Sequence, residues 1–433
     1  MSAIPTPEGN AIGGSGRDAV WFGQPRGLTI LFLTNMWELF SYYGMRTLLV
    51  YYMTKGLLFP QAKASFIYGS YTAMAYFTPI LGGAIADRWL GKRNAVIIGG
   101  SVMAIGHFMM AFEPLFYPAL ATIALGNGLF LPSQINDLYR ADDPRRGRAY
   151  NVYYVGLNIG GFMAPLVCGT LGEVYGWHYG FGAAGIGMFL GLAIYLMGQR
   201  YLPAEPSRRG ATANATTAVR GGDSRRIWWL LLGVGIAATI FRGAYEQIGN
   251  TLPLWTDANV DRTWGRFVIP MTWFQSLNPL LVISMTPLLL LHWRRRAAAG
   301  RDRSPAIKMA IGAVIVAVAY LLLAVVDASA GGARAGWPWL LAFFAILTLG
   351  ELYILPTGLG LFARLAPPKL GATAVASWFL AVFSGSLLAG TVGTLWSRLD
   401  HAGFFVVLSA LALVAAGLLW RLDQPIRANS GGA

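Results

Sequence analysis

Within an otherwise apolar run, residues 35–46 read "NMWELFSYYGMR". Asn35, Glu38, Tyr42 and Arg46 fall at i, i+3, i+7 and i+11, one stripe of a helix. A second stripe, Arg242, Glu246 and Asn250, falls at i, i+4 and i+8, so Arg242 and Glu246 can pair along their own helix. Glu351 follows Gly350 inside a third apolar run. Each such charge costs at least about 2.5–3.5 kcal/mol at the bilayer centre, and intramembrane ionisable groups mark ligand or ion pathways. The chemistry open to them is charge pairing with a ligand, or proton uptake that breaks a salt pair. The bland alternative is that they pair only to hold helices together. Tyr42, Tyr43, Tyr71, Tyr76, Tyr153, Tyr154, Trp273 and Trp378 accompany them, each with an apolar face and a hydrogen-bonding group; any one of them alone can also be a packed or interfacial aromatic.

The elements that position these groups are membrane helices. The chain has 433 residues, 55% hydrophobic and only 12% charged, against about 25% charged in soluble domains. Runs of spanning length fall near 27–53, 65–86, 94–112, 116–138, 150–171, 179–199, 227–252, 267–291, 305–326, 338–361, 372–395 and 403–420. The expected fold class is an all-α membrane protein with twelve transmembrane helices. The expected organisation is a cytoplasmic tail at 1–26, a six-helix bundle at 27–200, a cytoplasmic linker at 201–226, a second bundle at 227–421 and a cytoplasmic tail at 422–433. Residues 1–26 show no cleavable signal peptide, and the first span is retained.

The net charge of +14 is topological. With the N-terminus inside, inner segments hold 25 of the 33 Lys and Arg residues and outer segments hold six, the positive-inside pattern. This speaks against nucleic acid as a partner. It predicts an integral membrane protein, in a bacterial inner membrane, with both termini cytoplasmic. The single cysteine, Cys168, excludes an internal disulfide, and no Cys/His cluster has metal-ligand spacing. No nucleophile–base pair or phosphate loop is visible, so no enzyme, metal or cofactor is expected. His107 stands alone in the third span and reads as a packing residue. "NP" at Asn278–Pro279 and "LP" at Leu131–Pro132 and Leu355–Pro356 predict helix kinks.

A six-plus-six layout with a basic central loop is the pattern of the major facilitator fold, whose halves enclose a midplane cavity. "GGAIADRWLGKR" at Gly82–Arg93 resembles that superfamily's cytoplasmic signature loop, with Asp87 placed to cap or pair beside Arg88, Lys92 and Arg93. Further segments resemble the proton-dependent oligopeptide transporter family: "ELFSYYGMRTLLVYYM" at Glu38, "YEQIGNTL" at Tyr245, "IPMTWFQSLNPLL" at Ile269, "LGELYILPTGL" at Leu349 and "ASWFLAVFSGSLLAGTVG" at Ala376. Many bacterial members carry two extra helices in the central loop, which this chain does not.

The resemblance implies that Arg46 meets a peptide carboxylate, Glu351 a peptide ammonium, and that Glu246 is the seventh-span acid. Asn158, Tyr42, Tyr43, Tyr71, Trp273, Asn278 and Trp378 look like cavity positions, and Asn35 shares the polar wall. The family couples protons through Glu-x-x-Glu-Arg on the first span and a fourth-span lysine. Here the motif reads Asn35-Met36-Trp37-Glu38-Leu39, and the lysine position is Leu131. Arg242 stands where the family usually has an aromatic residue and restores one positive charge. Glu38, Arg242 and Glu246 are therefore the expected coupling or gating residues, with protons as the coupling ion. The expected function is alternating-access transport of di- or tripeptides or peptide-like zwitterions, with a monomer as the functional unit in the lipid bilayer. The alternatives are a proton-independent facilitator or exporter of a specialised peptide-derived compound, and a membrane-embedded ligand sensor.

Overall fold

The computed structural model describes residues 20–21, 23–130, 133–139, 143, 145–203, 224–365 and 371–429. A two-residue hairpin, β1 (Val20–Trp21) and β2 (Gln24–Pro25), leads into the first half. That half contains α1 (Arg26–Tyr51), α2 (Gln61–Ile85), α3 (Lys92–Met109), α4 (Phe116–Leu129), α5 (Arg145–Ala164) and α6 (Trp177–Gly198). The second contains α7 (Ser224–Tyr245), α8 (Thr251–Asn259), α9 (Leu277–Ala298), α10 (Pro305–Ala330), α11 (Pro338–Leu365), α12 (Gly371–Gly393) and α13 (His401–Asn429). α7 and α8 form one interrupted span, so α11 is the tenth. Eight helical segments among the described residues are by themselves long and apolar enough to cross a membrane. All eight follow α4, and α1 falls short because it carries the polar stripe.

The packing of the first half is repeated in the second. α1 packs on α5 and α6, and α7 packs on α12 and α13. α3 joins α4 and α6 as α10 joins α11 and α13, and α2–α4 is matched by α9–α11. The halves meet through α2–α12 and α5–α9, which the same repeat relates. Two parallel six-span repeats around a central seam account for this pattern. Twelve crossings bring the chain back to its starting side, so the start of α1 and the end of α13 lie at one face. We call it the terminal face and its opposite the distal face.

Helices inside lipid gain little from apolar burial and associate by close packing. A Cβ on Gly82 would lie 1.8 Å from the Gly128 carbonyl oxygen, and one on Gly160 would lie 2.1 Å from that of Met36. These glycines let α2 touch α4 and α5 touch α1.

Several boundaries differ from the sequence reading. The α-helix of the fourth span ends at Leu129, and Ser133–Leu138 is a 3₁₀ segment; Leu131 and Pro132 lie outside the described residues. The seventh span breaks at Glu246–Ile248, a 3₁₀ turn, and restarts as α8. Asn250, with φ −105° and ψ −82°, precedes the restart, and Pro253 fits the first turn of α8, where a missing N–H costs nothing. Pro279 likewise sits in the first turn of α9, after a 3₁₀ segment at Met271–Ser276, so it starts a helix instead of kinking one. Pro356 is interior to α11, as are Pro79 in α2, Pro287 in α9 and Pro425 in α13. α13 runs to Asn429, into the expected tail, and α7 starts at Ser224, inside the expected linker. Most of that linker, 204–223, lies outside the described residues, as does 1–19.

The signature segment forms a π-helical turn, Ala86–Leu90, before α3. Lys92 Nζ meets Asp137 at 2.6 Å, and the Arg93 guanidinium donates to the carbonyls of Leu202 and Pro203 at 3.0 and 2.6 Å. Asp87 and Arg88 are exposed, and among the described residues Asp87 has no ion-pair partner. The expected pairing within the segment is not made, because its bases reach neighbouring loops instead.

Overpacking a close helix contact costs about 1–3 kcal/mol. Gly82→Val and Gly160→Val are expected to lower the unfolding temperature in detergent by several degrees. Gly182→Ala, with nothing within 4 Å of its new methyl, is expected to leave it nearly unchanged. Differential scanning fluorimetry of the three variants checks this.

Candidate functional site

The α1 stripe meets the break in the seventh span at a cluster of charges. Glu246 forms ion pairs with Arg46 across the seam and with Arg242 one turn earlier on its own helix. Arg46 Nε donates to the Tyr68 hydroxyl at 2.8 Å, and that hydroxyl donates to Glu246 at 3.2 Å. Arg242 donates to the Tyr76 hydroxyl at 2.7 Å. Each guanidinium also stands over rings: Arg46 over Tyr43 and Tyr68, Arg242 over Tyr76 and Tyr245, all within 6 Å. Arg242 is 5% exposed, Arg46 7% and Glu246 0%, so the carboxylate is shielded from water. One acid between two bases leaves the cluster with a formal charge of +1.

A cavity of about 220 Å³ opens beside this cluster. One wall is Tyr43 and Arg46 of α1, Tyr76 of α2 and Arg242 and Tyr245 of α7. The lining also carries Glu351 of α11, which accepts a hydrogen bond from Asn278 Nδ2 at 2.5 Å. Asn278 also donates to Thr348 at 3.1 Å, which fixes the amide. Asn158 and Tyr154 of α5, Gln275 and the apolar Leu39, Leu157, Phe344 and Leu355 are also part of the lining. The space is therefore lined by two cations, a carboxylate and greasy patches.

The structure thus brings Tyr43, Arg46, Asn158, Arg242, Asn278 and Glu351 to one cavity, with Glu246 bound behind the two arginines. The other expected positions stand apart from it. Asn35 donates back to the Leu31 carbonyl at 2.8 Å. Tyr42 stacks on Tyr71, ring centroids 6.4 Å apart, and both are buried. The Trp273 indole donates to Thr170 at 2.7 Å, a seam contact. Trp378 packs edge-on against Phe362 and presses on Gly358. Glu38 is buried and has no ion-pair partner among the described residues, since its neighbour is Leu39. The fourth-span position Leu131 lies outside the described residues.

Sequence reasoning missed Tyr68, the hydroxyl between Arg46 and Glu246. Its signal was available: Tyr68, Thr72 and Tyr76 fall at i, i+4 and i+8 on α2. It also missed the bonds that close the distal face. Glu173 takes hydrogen bonds from Arg262 at 3.0 Å and from the Met271 amide at 2.9 Å. Arg262 also pairs with Asp257 at 3.0 Å, and Asp257 meets Lys55 and Tyr51, both at 3.2 Å. Gln61 and Ser65 of α2 bond Gly393 and Asn250 of the other half at 2.9 and 2.8 Å. No spacing rule joins residues this far apart in the chain.

Twelve spans in two repeated halves around a polar cavity define a secondary carrier of the major facilitator fold. The POT family model matches residues 93–219 and 204–408. The chain belongs to the POT family, which is a family of transporters and not of enzymes. It is 30% identical to the uncharacterized transporter YclF of Bacillus subtilis, over 94% of this chain and 95% of that one. It is 30% identical to a di-/tripeptide transporter of Lactococcus lactis subsp. lactis, over 94% and 97%. Among solved structures, a peptide transporter POT in complex with alafosfalin superposes with a TM-score of 0.85 at 28% identity, covering 94% of this chain and 97% of that one.

Removing one partner of a buried ion pair costs about 3–5 kcal/mol. Glu246→Gln strands two guanidinium groups, whereas Arg242→Gln leaves Glu246 paired with Arg46. Glu246→Gln is therefore expected to destabilise more than Arg242→Gln. Swapping Arg242→Glu with Glu246→Lys is expected to rescue the singles only in part, because the new lysine faces Arg46. Thermal unfolding of the two single substitutions, the charge-swap singles and the charge-swap double checks both statements.

Proposed function

We infer that the chain carries di- or tripeptides, or peptide-like zwitterions, by alternating access. The observation that carries this reading is one cavity lined by Arg46 and Arg242 and by Glu351. A zwitterion presents a carboxylate to the first and an ammonium to the second. The aliphatic and aromatic lining accepts side chains without selecting one. The described relatives named as di-/tripeptide transporters support the substrate class.

The same geometry suggests how a proton enters the cycle. Glu246 holds Arg46 across the seam. Protonating Glu246 removes the charge that binds both arginines and frees Arg46 for a ligand carboxylate. Ligand and proton then loosen one cross-half link together. The basic bias of the terminal face supports placing that face in the cytoplasm of a bacterial inner membrane. With that orientation the latched distal face is the outer gate, shut over the cavity. Six spans in each of two bundles, with 201–226 as their linker, is the organisation this mechanism needs, and one chain holds the whole cavity, so a monomer suffices.

One observation favours a second reading, a proton-independent facilitator. Glu38 has lost the adjacent base and stands without an ion-pair partner among the described residues. Uptake of a labelled dipeptide into proteoliposomes separates the two. Accumulation driven by an inward proton gradient and abolished by an uncoupler is expected. Equilibration that ignores the gradient supports the facilitator. Absence of both uptake and counterflow overturns peptide transport. Glu351→Gln is expected to weaken dipeptide affinity at least tenfold while leaving the fold intact by circular dichroism.

A further inference from the structure

α9 and α10 follow each other in the chain but find their main neighbours elsewhere. α9 lies against α5 and α11, and α10 against α11 and α13. The short connection from Ala298 to Pro305 places the gap between them at the terminal face. A cavity of about 160 Å³ fills it. Arg296, Arg303 and Lys308 line this cavity with His292 and one acid, Asp302, and Tyr353 of α11 is part of its wall. The Lys308 side chain is only 16% exposed. Its ammonium sits 4.9 Å from the centre of the Trp293 ring and pairs with Asp302 at 2.8 Å. Trp293 in turn meets Tyr353 edge-on at 5.2 Å. Arg296 donates to the Arg301 carbonyl at 3.2 Å. Three cations face one carboxylate, and the cavity is separate from the transport cavity.

The surface next to it is apolar. Leu288, His292 and Arg296 fall at i, i+4 and i+8, so one stripe of α9 runs from leucine to arginine. Leu288 is 68% exposed, and Leu291 is also exposed. A soluble anion needs the cations but has no use for the leucines. An amphiphile uses both. The boundary between the two is also where aromatic side chains sit at a membrane interface. Basic pockets between helices at the cytoplasmic side bind anionic head groups.

We propose that the wedge between α9 and α10 is a binding site for an anionic phospholipid. Its phosphate lies between Arg296 and Arg303, beside Lys308, and its acyl chains run along Leu288 and Leu291 of α9. The bound lipid fills the gap that the two helices leave open, against the helix that also carries Glu351.

The test titrates the full-length detergent-solubilised protein with dioctanoyl phosphatidylglycerol, dioctanoyl phosphatidylcholine and inorganic phosphate, read by native mass spectrometry and thermal shift. Phosphatidylglycerol is expected to bind and raise the unfolding temperature, and phosphatidylcholine to do neither. The double substitution Arg296→Gln with Arg303→Gln is expected to weaken phosphatidylglycerol binding at least tenfold. Arg294→Gln with Arg295→Gln, exposed and outside the cavity, is expected to leave it unchanged. Equal binding by the first variant and the unaltered protein overturns the site. Equal loss in both variants overturns it in favour of general surface charge. Inorganic phosphate binding as tightly as the lipid overturns the lipid assignment.

Discussion

Glu246 holds a guanidinium on each side, one from its own helix and one from the other half of the molecule. Two guanidinium groups without a carboxylate at this depth would be costly. The position of Arg46, the break in the seventh span and the tyrosines of α2 are all constrained by that one carboxylate. Tyr68 and Tyr76 each accept a hydrogen bond from one of the two arginines, and their own placement ties α2 to the seventh span across the seam. Arg46, Tyr76 and Arg242 line the cavity beside that carboxylate, and Glu351, bonded to Asn278, lines it from α11.

The repeat of packing between the halves explains why such a cluster can sit at a moving seam. Each half is internally dense, with α10 buried against α11 and α13 as α3 is against α4 and α6. The seam combines the close α2–α12 contact with polar links between the halves. Toward the distal face these are ion pairs and hydrogen bonds around Glu173, Asp257 and Arg262, all partly exposed to solvent. Partly hydrated polar contacts are made and broken at modest cost. Close glycine contacts such as Gly69 on Gly390 let the backbones approach without interlocking side chains.

The chain redistributes the charges that its family resemblance leads one to expect. Leu39 replaces a base beside Glu38 and now lines the cavity with a hydrocarbon surface. Arg242 brings a base to Glu246 from the same helix at i, i+4 spacing. A within-helix pair does not stretch when the halves rock, whereas the Arg46–Glu246 link does. Glu246 thus has one partner within its own span and one across the seam.

Much of this was legible in the sequence. Twelve apolar runs, the polar stripe of α1 and the Arg242–Glu246 spacing follow from helical periodicity and the cost of charge in lipid, both of which act locally along the chain. The sequence by itself determined the class of protein, the span count and which charges had to find partners. Only the tertiary structure decided which partners they found. That Arg46 reaches Glu246 and not Glu351, that Tyr68 lies between them, and that Tyr42, Tyr71 and Trp378 pack away from the cavity depend on contacts between helices far apart in the chain. Helical spacing settles which residues share a face. Which neighbour that face meets is settled by how close glycine-lined helices can approach, and periodicity carries no record of that.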